Sequence, residues 1–232
     1  MPETRPVERI ALLPTSFLCQ LDRIGEYGAN EMTWIKTISY EDAEGKLKKL
    51  YDRVKGPDNN VDNIMMAHSL RPHTMEGHMS LYKHVLHHSA NTLPKWKLEA
   101  LGVYVSLINE CMYCVEHHFE GLKRLVKDDE FAEKIRSALT AGLPEQVFDG
   151  PDLAMMLYAN VLTTRPAHID AAMISELRLS GLDDGQVLEI NQVVAYFSYA
   201  NRTVLGLGIN TENDIIGLSP NNSDEPDNWN HA

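Results

Sequence analysis

Apolar residues recur along most of this chain at three- and four-residue intervals, the spacing that gathers them on one face of a helix. In residues 39–56, Leu47, Leu50, Tyr51 and Val54 form such a face, with Ser39 as the expected cap and Gly56-Pro57 as the stop. A short helix follows, capped by Asp62 or Asn63 and ended by Pro72. Residues 73–91 then carry Met75, Met79, Tyr82 and Leu86 on one stripe. The stretch from Pro94 to Glu110 is apolar on nearly every side, which predicts a helix in the middle of the core. The next helix is expected from about Met112 to Val126. Three more periodic stretches follow, the first capped by Asp128 or Asp129. A last long helix starts from Asp183 or Asp184. Its segment 193–197, Val-Val-Ala-Tyr-Phe, has strand-like composition, but the period around it is helical. No hairpin signal or alternation of strands with helices appears, so the pattern predicts an all-α fold.

The ends differ from the middle. Residues 1–38 show no clear period and read as an N-terminal arm, 39–210 as one helical domain, and 211–232 as an acidic Asn/Pro-rich tail. Such a tail has little to bury and is expected to hang free or lie across a neighbour.

The chain is 44% hydrophobic and 23% charged, with a net charge of −12. That composition suits a soluble globular protein and discounts nucleic acid and anionic membranes as partners, since the surface repels phosphate. There is no signal-like or membrane-spanning run, and the expected location is cytoplasmic. In a reducing compartment three cysteines point to chemistry, metal or packing rather than to a disulfide framework.

Two of those cysteines stand in residues 109–125, Asn-Glu-Cys-Met-Tyr-Cys-Val-Glu-His-His-Phe-Glu-Gly-Leu-Lys-Arg-Leu. With Cys111 at a helix start, Cys114 and His118 fall on the same face. The sulfurs can then approach to form a disulfide, and the helix N-terminus favours a thiolate. Glu99 lies in the apolar helix before them. If its face is buried, desolvation raises its pKa toward neutrality and suits it to act as a base or proton relay. The alternative is a Glu99 pointing outward beside Lys95.

The arrangement of Glu99, eleven residues, then Cys111-x-x-Cys114-x-x-x-His118 resembles the signature of the AhpD alkylhydroperoxidases of the carboxymuconolactone decarboxylase superfamily. The last helix is similar to that of the peroxidase-related branch, and the resemblance spans roughly residues 39–210. It implies an AhpD-like helical fold that forms homo-oligomers, and thiol peroxidase activity without a cofactor. By position Cys114 attacks a small hydroperoxide, Cys111 resolves the sulfenic acid, and His118 and Glu99 relay the proton. A dithiol or lipoyl-type partner then reduces the disulfide. The chain departs from AhpD between the cysteines, where Met112-Tyr113 replaces a histidine beside the second cysteine.

Three other readings compete. Cys111, Cys114 and His117 or His118 form a partial zinc-ligand set, and His84 and His88 stand at ligand-like spacing. The fold also hosts carboxymuconolactone decarboxylases, which have no use for a dithiol. Finally, buried cysteine packs well as a small hydrophobe in a purely structural helical oligomer. Outside the motif, Cys19 reads as packing, His68 as a residue that could line the same cavity, and Arg202 as a partner for a carboxylate at a subunit contact. His87 belongs to the same histidine cluster as His84 and His88 and has no assigned role.

Overall fold

The computed structural model describes residues 32–218. Cys19 and residues 219–232 lie outside the described residues. Among the described residues, regular structure is helical: α1 (Gly45–Val54), α2 (Asn63–Ala67), α3 (Pro72–Tyr82), α4 (Lys95–Ile108), α5 (Met112–Val126), α6 (Asp129–Thr140), α7 (Gly150–Thr164), α8 (Ala171–Leu179) and α9 (Asp184–Leu207). The expected all-α fold is what the chain adopts, and the strand-like segment 193–197 lies inside α9.

α4 is the axis of the molecule. It packs against α5, α6, α7 and α9. Leu98 to Ser106 are buried without interruption, as a helix apolar all round demands. The tip of the Phe197 ring of α9 fills the space over Gly102, where a Cβ would meet its Cζ at 2.2 Å. That close approach of α9 to α4 brings the last helix to the thiols.

Two of the expected caps form and others do not. Asp128 accepts from Phe131 N–H, and Asp183 forms a full capping box with Gln186. Ser39 caps no helix; it accepts the Asp42 N–H in a turn ahead of α1, which starts at Gly45. α3 runs on into a π-helical turn, Lys83–His87. The extra residue in that turn buries Lys83 and His87 together with Val85 and Leu86.

Residues 32–34 run beside the end of α9, with Trp34 N–H on Leu207 O and Asn210 N–H on Met32 O. After α9 the chain folds back over α2 and α5. The Asn63 side chain donates to the carbonyls of Asn210 and Glu212, and Ile209 is buried. The start of the predicted tail is therefore laid on its own chain, and the Asp214 side chain is entirely buried there.

Candidate active site

α5 opens on the two cysteines. Cys111 is its N-cap residue, with non-helical φ −93° and ψ 82°, and Cys114 completes the first turn. Both are free thiols, and their Sγ atoms share a hydrogen bond at 3.3 Å. Cys111 is 0% exposed and Cys114 4%, but only Cys114 lines a cavity of about 50 Å³. The hydrogen bond from Cys114 lowers the Cys111 thiol from its ordinary value. The same hydrogen bond, followed by burial, pushes Cys114 well up.

The sharp turn before the cysteines puts Glu110 in the left-handed region at φ 58°. Cys111 N–H reaches back to Ser106 O at 2.8 Å, tying the cysteine to the end of α4. Asn201 of α9 braces this turn. Its amide donates to Ser106 Oγ at 3.0 Å and accepts from Asn109 at 2.9 Å. It also adds to the fall of the Cys111 thiol and offsets a little of the rise of Cys114. The sequence singled out Arg202, whose guanidinium donates to Ser198 O on its own helix. The residue turned to the site is its neighbour, fully buried; a lone Asn inside an apolar period was the available signal.

Glu99 projects from α4 beside α5 and is 3% exposed, so the buried alternative holds. Its Oε2 lies 2.7 Å from Nδ1 of His118. Burial is the strongest influence on this carboxyl and pushes its pKa up. The His118 charge and hydrogen bond oppose it, helped by His87 and Arg124, and the net position is below the ordinary value. The expected raised carboxyl is thus corrected: Glu99 is a carboxylate, so the proton of that hydrogen bond sits on Nδ1 and leaves Nε2 for exchange. Gly121, one turn along α5, makes the pairing possible. A Cβ there would stand 3.3 Å from the Glu99 carboxyl carbon. Phe197 meets the His118 ring edge-on at 4.5 Å and fixes its plane.

The opposite wall was not foreseen. His117 points away from His118 and toward Asp214, with Nε2 3.5 Å from Oδ2. That oxygen also accepts from Tyr113 OH at 2.9 Å and from Asn63 N–H at 3.0 Å. Burial pushes Asp214 up, but His117 and these donors hold it below the ordinary range. Tyr113, where AhpD carries a histidine, therefore turns its phenol to Asp214. Gly217 N–H meets His117 Nδ1 at 3.4 Å, and Arg124 donates to Gly217 O. Gly217 has φ +83°, and a Cβ there would lie 2.5 Å from Glu120 Cβ, so only glycine fits this closure. Gly217 and Leu218 line the cavity with Cys114.

Three further cavity residues also escaped the sequence reading. Tyr82 stacks on Tyr196 at 5.6 Å, and the His78 ring lies 5.8 Å from Tyr196. Burial lowers His78 to about 3, so it is neutral. His68 lies against His78, ring centroids 5.3 Å apart and tilted, and does not line the cavity itself. Among the described residues no group of three or more His, Cys, Asp or Glu is placed to hold a metal ion. His117 and His118 each turn to a carboxylate, and His84 and His88 stack ring on ring at 5.6 Å. No helix among the described residues is long and apolar enough to cross a membrane.

No family model matches the sequence, and none of the curated proteins matches it. Solved structures do. A peroxidase-related AhpD-core protein from Ralstonia eutropha JMP134 superposes with a TM-score of 0.68 at 18% identity, covering 77% of this chain and 92% of that one. A peroxidase-related protein from Silicibacter sp. TM1040 gives 0.67 at 22%, covering 81% and 97%. The debrominase Bmp8, solved with 2,3,4-tribromopyrrole, gives 0.61 at 18%, covering 76% and 90%. The helices that bring Glu99, the two cysteines and His118 together are those of the AhpD-like fold.

Proposed function

We propose that the chain is a thiol peroxidase whose C-x-x-C pair turns over between dithiol and disulfide. The observation that carries this reading is the asymmetry of the pair. One thiol lines a small cavity, the other stands 3.3 Å behind it, and His118, one turn along the same helix, is held by the buried Glu99 of α4. Access selects Cys114 as the attacking sulfur. Burial and its neighbour hold that thiol protonated, so it needs a base, and His118 Nε2, oriented by Glu99, is suited to take the proton. Cys114 then attacks the peroxide O–O bond and becomes a sulfenic acid. Cys111 condenses with it to a disulfide and releases water. The sulfurs must close to about 2.05 Å, and the non-helical backbone of Cys111 leaves room for that. A dithiol, free or lipoyl-type, restores the pair by exchange.

Thiol titration before and after one equivalent of hydroperoxide, with zinc assayed on the same sample, tests the reading. Loss of two thiols, restored by a dithiol and absent in Cys114→Ser, is expected. Thiols that ignore peroxide would overturn it. One zinc per chain in that case would make the motif a metal site. The debrominase likeness makes a halogenated aromatic the second oxidant to try.

A further inference from the structure

Asp62 stands at the N-cap of α2 but caps nothing: its carboxyl makes no hydrogen bond to the helix. Part of the residue still reaches solvent, yet Oδ1 is shut off from it and has no partner among the described residues. The residue lines the cavity that holds Cys114. Asp214, Tyr113, His117, Tyr82 and Arg124 surround this end of the cavity. Asp214 is already engaged by Tyr113, Asn63 and His117. A buried carboxylate oxygen with no donor is unfavourable, whereas a carboxylic acid there carries its own. Burial, then the neighbouring charge of Asp214, hold Asp62 well above the ordinary carboxyl range. The cavity thus has a carboxyl behind His118 whose hydrogen bond favours the ionised form, and one in the wall beside Tyr113 whose buried, unpartnered oxygen favours the acid form. Such divergence is how acid and base roles separate in one site.

We propose that Asp62 is the general acid of the reaction, protonating the oxygen that leaves the peroxide. This rests on the thiol peroxidase reading. The Cys114 thiolate gives an electron pair to the terminal peroxide oxygen. An S–O bond forms, and the O–O bond breaks with its pair on the alkoxide. Asp62 gives that alkoxide its proton, and the alcohol departs. Sulfur is oxidised and the peroxide reduced. The thiol proton, held on His118, returns through water to recharge Asp62 while Cys111 condenses with the sulfenic acid.

The test compares Asp62→Asn with the native chain on ethyl hydroperoxide and peracetic acid. Ethoxide is a strong base and needs a proton to leave; acetate does not. Iodoacetamide alkylation of Cys114 reads thiolate formation separately, because it involves no oxygen leaving group. In Asp62→Asn, kcat/KM for ethyl hydroperoxide should fall about 100-fold. Peracetic acid reduction and alkylation should change by less than about threefold, because neither needs the acid. Asp62→Glu should recover part of the lost rate. Equal losses on both oxidants would make Asp62 a wall residue only, and no loss on either would also overturn the proposal. Native protein that consumes neither oxidant overturns the peroxidase reading itself, and this proposal with it.

Discussion

His117 and His118 are neighbours in sequence, and each turns to a buried carboxylate, but the His117 side holds a second carboxyl, Asp62, that is pushed the other way. On the His118 side, one short bond at 2.7 Å joins the ring to Glu99, and that pairing outweighs burial. On the His117 side the nearest oxygen is 3.5 Å away, and Asp214 depends on Tyr113 and Asn63 as well. Oδ1 of Asp62 beside it has no donor among the described residues, and burial wins. Depth alone does not decide the protonation of a carboxyl; the donors within reach do.

Removing the atom that both sides serve has the largest effect. Cys114→Ser should abolish peroxide reduction, while Cys111→Ser should leave one stoichiometric turnover in a single-turnover assay. Equal residual activity in both would reverse or dissolve the assigned roles. Next comes Glu99→Gln, which keeps the shape but not the charge. Alkylation of Cys114 should slow about 100-fold, with its pH profile moved to higher pH. An unchanged profile would take Glu99 out of the relay. Gly121→Ala is a finer probe, since its Cβ would press on the Glu99 carboxyl at 3.3 Å. Peroxide turnover should fall about tenfold, as small misplacements in a relay do, with helical circular dichroism unchanged.

The smallest effect is on stability, and there the two carboxyls should differ in sign. Glu99 is lowered on folding, so its contribution is present above the unfolded value of 4.5 and is lost as pH falls through its folded pKa. Asp62 is raised, so its contribution is full below 3.8 and is lost as pH rises through its folded pKa. At pH 7 Asp62→Asn should therefore raise the melting temperature and Glu99→Gln lower it. Both differences should shrink toward zero in acid. Two shifts of the same sign would break the contrast.

The side built from one helix pair was legible in the sequence. α4 and α5 are consecutive, their periods are strong, and fixed spacing carries Glu99, Cys111, Cys114 and His118 to one place. What the spacing could not supply was the sign of the Glu99 shift, which depends on a 2.7 Å contact between two helices. The other side joins residues far apart in the chain. Asp62 read as an ordinary cap, Tyr113 as a gap in a familiar pattern, and Asp214 as part of a polar tail. Their meeting depends on the return of the chain over α2 and α5, which has no periodic signal. Asn201 and Tyr196 were hidden for a related reason: inside a long apolar helix, a polar group shows its purpose only when the facing helix is known.

Gly217 and Leu218 form part of the cavity wall, ten and eleven residues beyond the end of the last helix. A fragment trimmed at Gly208, where the helices stop, would keep every residue of the C-x-x-C signature and still lose Asp214 from Tyr113 and the closure over Arg124. The boundary of the functional unit is therefore set by a segment without regular structure. A truncation that keeps the cavity wall has to retain Gly217 and Leu218 and not stop with the helical core.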